Sequence, residues 1–276
     1  MYKIAICVRN RLGITRKCLE AILKHSKIEH EIYIYDNLTN YRLTDHVLYF
    51  NKLFQKNIIQ QYTVNSDKST FNAFSKVVAL NQFGYNHLMD PRKDQFSFLV
   101  FLDNDMIVMP NWDEYLYDAW SYLNSQKNKN IKIVTQYPGG IKYAKLQKFR
   151  IKDKSVYTGK LSGSGLWAVN TNFFSDVGFL NCKDFLHQHK KHDQVYWNRL
   201  RKIAKNNDYV LAIQGKIALH AGGMVGSVCN QLDKEKIDKR ESYEKIKFKE
   251  VDAKIEKLSF DDFFKAVEQK TKLFKW

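Results

Sequence analysis

From Tyr2 to Thr135 the chain alternates short apolar runs with amphipathic stretches, and several of the apolar runs stop at a charged residue. This pattern constrains the fold more than any other feature. Apolar strands separated by helix-length connections call for a parallel α/β sheet. Lys3 to Val8 reads as a buried strand. Thr15 to His25 follows as a helix, with Cys18, Leu19, Ile22 and Leu23 on one face and Thr15 as its N-cap. Glu31 to Tyr35 is a second strand ending at Asp36-Asn37, and Ile58 to Val64 is a third. Thr70 to Phe83 has helical spacing, with Phe74, Val77, Val78 and Leu80 inward. Gln95 to Leu102 is the most apolar strand and stops at Asp103-Asn104-Asp105. Asn111 to Leu123 is helical, and Ile131 to Thr135 is a strand before a Tyr-Pro-Gly-Gly turn.

Beyond residue 135 the pattern is less regular. A basic loop, a Gly/Ser run, a helix from Asp193 to Lys205 and strands within Tyr209 to Leu219 are expected. Ile237 to Phe274 is charged and helix-prone. The expected architecture is α/β: a Rossmann-like, mostly parallel central sheet flanked by helices, with a helical C-terminal extension. Residues 1–230 would form the main domain and 231–276 the extension.

The charge is uneven. Of a net +16, the segment from Leu232 to the C-terminus carries only +2, with 13 basic and 11 acidic residues. The body is therefore poor in acids, and the few at strand ends gain weight. Ile141 to Lys160 and Lys183 to Lys205 each hold seven basic residues. These loops would suit an anionic ligand or a membrane surface. No nucleic-acid-binding motif is visible, and the basic segments lack a regular aromatic interleave, so nucleic acid is not an expected partner.

The four cysteines, Cys7, Cys18, Cys182 and Cys229, have no C-x-x-C spacing, which argues against a zinc site. Free thiols, no apolar run of transmembrane length and no signal-peptide pattern make a cytoplasmic chain the expectation. The C-terminal segment would suit peripheral membrane contact or self-association through its helices. The plainer reading is a solvated helical cover on the sheet.

The chemistry-bearing residues sit where open parallel sheets bind ligands, beyond the carboxyl ends of strands. Asp103-Asn104-Asp105 places two carboxylates after an apolar strand, where burying charge is costly without a compensating cation. Such carboxylates bind Mg²⁺ or Mn²⁺ together with phosphate oxygens. The alternative is a turn using Asp to cap backbone amides. Asp36 would accept hydrogen bonds from a ribose or base, or cap a turn. Arg9-Asn10-Arg11 offers donors to phosphate or base. Gly163 and Gly165 would let the backbone approach a ligand closely, and Trp167 would offer a face to a sugar ring or fill the core. Asp193 is either a helix cap or a general base. His220, after a strand and before two glycines, would give an imidazole to a metal or diphosphate.

In order, these motifs resemble the family 2-type glycosyltransferases with the GT-A fold. The matching stretches are Ile4 to Asn10, Tyr33 to Asn37, Asn72 to Ala79, Phe101 to Asp105 with Pro110, Gly163 to Val169, His192-Asp193 and His220. The resemblance implies a metal-dependent enzyme that moves a sugar from a nucleotide-sugar donor, most commonly a UDP-sugar, to an acceptor hydroxyl. The acceptor would be a glycan, a lipid-linked sugar or a protein. By the same resemblance Arg9, Asp36, Asp103, Asn104, Gly163 and Gly165 bind the donor. Asp105, Asp103 and His220 hold Mn²⁺ or Mg²⁺. Trp167 and His192 lie near the acceptor, and Asp193 is the base of an inverting displacement. His192 stands where the family has an acid. The competing readings are a nucleotidyltransferase acting on a sugar phosphate and a non-catalytic binder of anionic polymers.

Overall fold

A computed structural model describes residues 1–37, 39, 42–65, 73–124, 130–136, 147–151, 154–158, 165–179, 208–214, 217–221 and 252–269. Its strands are β1 (Tyr2–Val8), β2 (His30–Asn37), β3 (Gln61–Asn65), β4 (Leu99–Asp103), β5 (Met106–Val108), β6 (Asn130–Gln136), β7 (Gln147–Ile151), β8 (Lys154–Thr158), β9 (Leu166–Val169), β10 (Asp208–Gln214) and β11 (Ala218–His220). The helices are α1 (Leu12–His25), α2 (Leu43–Gln55), α3 (Ala73–Met89), α4 (Trp112–Asn124), α5 (Phe173–Val177), α6 (252–257) and α7 (Phe260–Glu268).

Nine strands form one mixed sheet in the order β3-β2-β1-β4-β9-β6-β10-β8-β7. The half built from β3, β2, β1 and β4 is parallel. β9 runs antiparallel between β4 and β6. Because β2 lies on one side of β1 and β4 on the other, the chain reverses direction across the sheet at β1. A crevice therefore opens at the carboxyl ends of β1 and β4. A second, two-stranded sheet pairs β5 with β11 antiparallel, setting His220 opposite Met106.

Side-chain alternation sorts the core into two faces. Ile4, Ile6 and Val8 of β1, Ile32 and Ile34 of β2, and Val100 and Leu102 of β4 face α1 and α4. Ala5, Tyr33, Tyr35, Leu99 and Phe101 face α3 and α5, with Phe83 and Phe174. The C-terminal segment joins the first face: Ile255, Phe260, Phe263 and Val267 are buried in the same cluster as α1. Over 252–269 the extension is thus an integral layer. Of the aromatic residues that could serve a contact role, Phe263 is fully buried in that core and Phe264 packs against it half-buried. Phe274 and Trp276 lie outside the described residues. No helix among the described residues is long and apolar enough to cross a membrane.

Some expected elements move. α1 begins at Leu12, not at Thr15, whose hydroxyl instead bonds back to the Arg11 carbonyl at 2.9 Å. The cap comes from far away: the Asp252 carboxylate accepts the Gly13 amide at 2.6 Å. α2 was not expected; its pattern leaves Leu48 and Phe54 exposed, so the apolar face is blurred. α3 runs on to Met89. The basic stretch Ile141 to Lys160, expected as a loop, contains the antiparallel strands β7 and β8. The expected helix Asp193 to Lys205 lies outside the described residues, as do Cys182 and Cys229. Cys18 is fully buried, and burial pushes its thiol far above the ordinary range.

Candidate functional site

The first βα loop sets the site. β1 ends at Val8, and Asn10 and Arg11 both take left-handed backbone angles, with φ of 52° and 53°. Each such residue costs about 1–2 kcal/mol and persists only where its surroundings determine it fully. The determinants are visible. The Asn10 amide donates to Thr39 Oγ1 at 2.9 Å. The Thr15 amide donates to the Arg11 carbonyl at 3.1 Å. The Arg11 side chain then reaches across to the end of β4.

There Arg11 engages two residues of the acidic tripeptide. One guanidinium nitrogen donates to Asp105 Oδ2 at 3.1 Å and another to Asn104 Oδ1 at 3.2 Å. Asn104 is buried and its amide nitrogen donates to Thr15 Oγ1 at 2.8 Å. Asp105 is only 5% exposed. The pairing of β5 with β11 brings His220 to the same carboxylate, with Nε2 3.4 Å from Oδ2. The Ala221 amide donates to the Asp105 carbonyl at 2.8 Å. Burial opposes ionisation of Asp105, but the Arg11 guanidinium and the His220 ring outweigh it and hold the carboxyl well below the usual range. The hydrogen bond to Asp105 in turn raises the His220 imidazole.

Asp103 closes β4, half-buried, and its amide donates to the Gly165 carbonyl at 2.9 Å. Gly165 is there for space: a Cβ would lie 2.7 Å from Met106 Sδ. It supports the acidic turn from behind. Arg9 is half-buried at the end of β1, beside this loop.

Two expectations change. Asp36 is completely buried, and both its oxygens are occupied by protein donors. Thr39 donates to Oδ1. His46 Nδ1 lies 3.0 Å and the Tyr62 hydroxyl 3.1 Å from Oδ2. Asp36 therefore anchors the second βα loop from inside instead of facing a ligand, and Thr39 relays that anchor to Asn10. Trp167, expected near an acceptor, is 4% exposed. It sits on the core face of β9, with its ring 4.5 Å from Phe101 and 6.0 Å from Phe173. β-strand alternation sends it under α3 and α5, whereas Leu166 and Ala168 take the other face. Gly163, His192 and Asp193 lie outside the described residues.

A metal is the remaining question of composition. Among the described residues no group of three or more His, Cys, Asp or Glu side chains converges. Asp105 and His220 do converge as a pair, and a carboxylate with an imidazole suits a hard divalent cation that keeps open positions for phosphate oxygens. Arg11 holds the same Oδ2, so its guanidinium must yield that oxygen to a cation. Of the residues singled out in the sequence, Asp105, His220 and the Arg9-Asn10-Arg11 loop come together in the fold; the reach of Arg11 to Asp105 and the approach of Asp252 to α1 are encoded by no local pattern.

No protein-family model matches the sequence, and no curated protein does. Solved structures do. GalNAc-T7, in a complex with UDP, GalNAc and Mn²⁺, superposes with a TM-score of 0.52 at 12% identity, over 78% of this chain and 43% of that one. The fold is GT-A. TarS of S. aureus matches at a TM-score of 0.48 and 12% identity, over 78% of this chain and 60% of the 1–349 fragment. The chain thus spans 60% or less of the length of these structures. In the GT-A frame, the Arg11–Asp105–His220 cluster lies at the crevice where the strand order reverses.

Proposed function

We propose that the chain is a nucleotide-sugar-dependent glycosyltransferase that moves a sugar from a UDP-sugar to an acceptor hydroxyl. The observation that carries this reading is the convergence of Arg11, Asp105 and His220 at the switch point of a GT-A sheet. Strand-end carboxylates and basic side chains at that crevice suit a nucleoside diphosphate. Arg9 and Arg11 would bind the diphosphate oxygens, Asp103 the ribose, and the backbone near Gly165 would pass close to the donor sugar. Asp105 and His220 would hold Mn²⁺ or Mg²⁺. When bound, that ion offsets charge on the departing nucleoside diphosphate.

Asp193 is assigned as the base. It takes the proton of the acceptor hydroxyl as that oxygen bonds to the anomeric carbon. The anomeric carbon–phosphate oxygen bond breaks, and its electron pair leaves with the diphosphate. A single displacement of this kind inverts the anomeric centre. Gly163 would lie beside the donor sugar and His192 beside the acceptor.

The test is a thermal-shift and hydrolysis screen with UDP-, GDP- and dTDP-sugars, with and without Mn²⁺. A rise in melting temperature with a UDP-sugar that requires Mn²⁺, and that is lost in Asp105→Ala, is expected. No shift with any nucleotide would overturn the reading. Release of pyrophosphate from a nucleoside triphosphate and a sugar phosphate would point instead to nucleotidyl transfer.

A further inference from the structure

The two loops that frame the crevice are held from behind by one segment near the C-terminus. Asp252, at the start of α6, is 2% exposed. Its Oδ1 accepts the Gly13 amide at 2.6 Å, in the first turn of α1. The approach is so close that a Cβ on residue 13 would lie 2.6 Å from the Asp252 carbonyl oxygen. Only glycine admits α6 at this distance.

One turn further on, Glu256 engages the second loop. Its Oε2 accepts from Arg42 at 2.9 Å, and the same Arg42 nitrogen lies 3.7 Å from Asp252 Oδ2. Arg42 opens α2 in a left-handed conformation, with φ of 55°. The other oxygen of Glu256 lies 3.4 Å from Arg16 of α1. Ile255 anchors α6 in the main core. One short helix therefore fixes the N-termini of both α1 and α2. The buried hydrogen bond from the Asn10 amide to Thr39 joins the same two loops.

We propose that α6 is a clasp for the donor site, and that Asp252 is a positioning residue that acts through Arg11. By capping α1 it fixes the left-handed turn from which Arg11 reaches Asp105 and Asn104. Glu256 sets the opposite loop through Arg42. The functional consequence rests on the donor-site reading above; the mechanical claim does not.

The experiment uses the full chain with Asp252→Ala, Asp252→Asn, Arg11→Ala and the Asp252→Ala/Arg11→Ala double variant. The first readout is hydrogen exchange of the Asn10 amide, which bonds Thr39 and not Asp252. The second is UDP affinity by calorimetry in Mn²⁺, beside the melting temperature. Asp252→Ala should speed Asn10 exchange and weaken UDP about fivefold to tenfold, the scale of a lost helix cap. Asp252→Asn keeps an oxygen for the Gly13 amide and should restore both. In the double variant the UDP losses should not multiply, because both act on one group. Wild-type Asn10 exchange in Asp252→Ala, or multiplying losses, would overturn the clasp. If wild type binds no UDP while Asn10 exchange still responds to Asp252→Ala and recovers in Asp252→Asn, the clasp stands and the donor reading fails. If Asp252→Ala does not fold, Glu256→Ala, which leaves Arg42 without its acceptor, carries the exchange test: normal Asn10 exchange in that variant would overturn the clasp's hold on the second loop.

Discussion

Arg11 and Asp105 are separated by 94 positions in the chain, yet they share a hydrogen bond of 3.1 Å at the mouth of the sheet crevice. The pair puts a resident cation on the one carboxylate oxygen that a metal ion would also claim. On the proposed metal site, Arg11 and a cation would compete for Oδ2 when no nucleotide is present. Arg11→Ala should raise the affinity for Mn²⁺ alone, by roughly tenfold or about 1.4 kcal/mol. The same change should weaken UDP. Calorimetry of each ligand separately checks both signs.

Asp105→Asn keeps the size of the side chain but removes the charge. Binding of Mn²⁺ and the Mn²⁺-dependent part of UDP binding should both be lost, while His220→Ala, which removes the neutral ligand and leaves the charged one, should weaken the metal by less. The order of the two effects, measured by metal titration, checks whether the carboxylate carries the site.

Asp36 is expected to matter for stability ahead of any contact with substrate. Asp36→Ala leaves His46, Tyr62 and Thr39 without their shared acceptor in a fully buried position. A loss of several kcal/mol is expected, because each buried donor left without an acceptor costs about 1–3 kcal/mol. Denaturant unfolding measures it. A large change in UDP affinity with normal stability would contradict the anchoring role.

His87 predicts a direction for acid sensitivity. It is 1% exposed, and burial, with the nearby Lys3 charge, lowers its imidazole to about 4. The unfolded chain then binds a proton that the native state refuses between about pH 6.5 and pH 4. Stability is therefore complete above 6.5 and is lost as pH falls through that window, by at most about 1.4 kcal/mol for each pH unit. Asp252 has the opposite sign: burial pushes its carboxyl up to about 6, so the native state holds its proton more tightly. His87→Gln should flatten the acid side of the stability curve. Urea midpoints at pH 4.5 and 7 compare the two chains.

Gly84 lies inside α3, where alanine is ordinarily favoured by about 1 kcal/mol. Here a Cβ would lie 2.5 Å from the ring of buried Phe174, and overpacking of this kind costs about 1–3 kcal/mol. Gly84→Ala should therefore destabilise the protein. Gly84→Ala combined with Phe174→Leu should recover part of the loss in a thermal melt.

The half of the sheet that positions the crevice was legible in the sequence. β1, β2 and β4 follow from apolar runs, because a strand buried on both faces must be apolar along its length; β3, the half-exposed edge strand, follows only from the run Ile58 to Val64 that leads into it. The acidic tripeptide announced itself because charge after such a run is unusual in an acid-poor body. α2 was not legible, since a helix with Leu48 and Phe54 exposed shows no clean stripe. Nor were the opposite fates of Asp36 and Asp105. Both are strand-end aspartates, but Tyr62 and His46 close over Asp36, whereas Arg11 and His220 meet Asp105 at the open end.

The sequence by itself determined the class of fold and the set of polar groups at the strand ends, because burial periodicity and strand termini are local properties. The tertiary structure decided which of those groups face the crevice, which anchor it, and that Trp167 belongs to the core. It also decided that a carboxylate 239 positions away caps the helix behind Arg11. Those are contacts between segments distant in the chain. Their partners are chosen by packing and by the need to satisfy buried donors and acceptors.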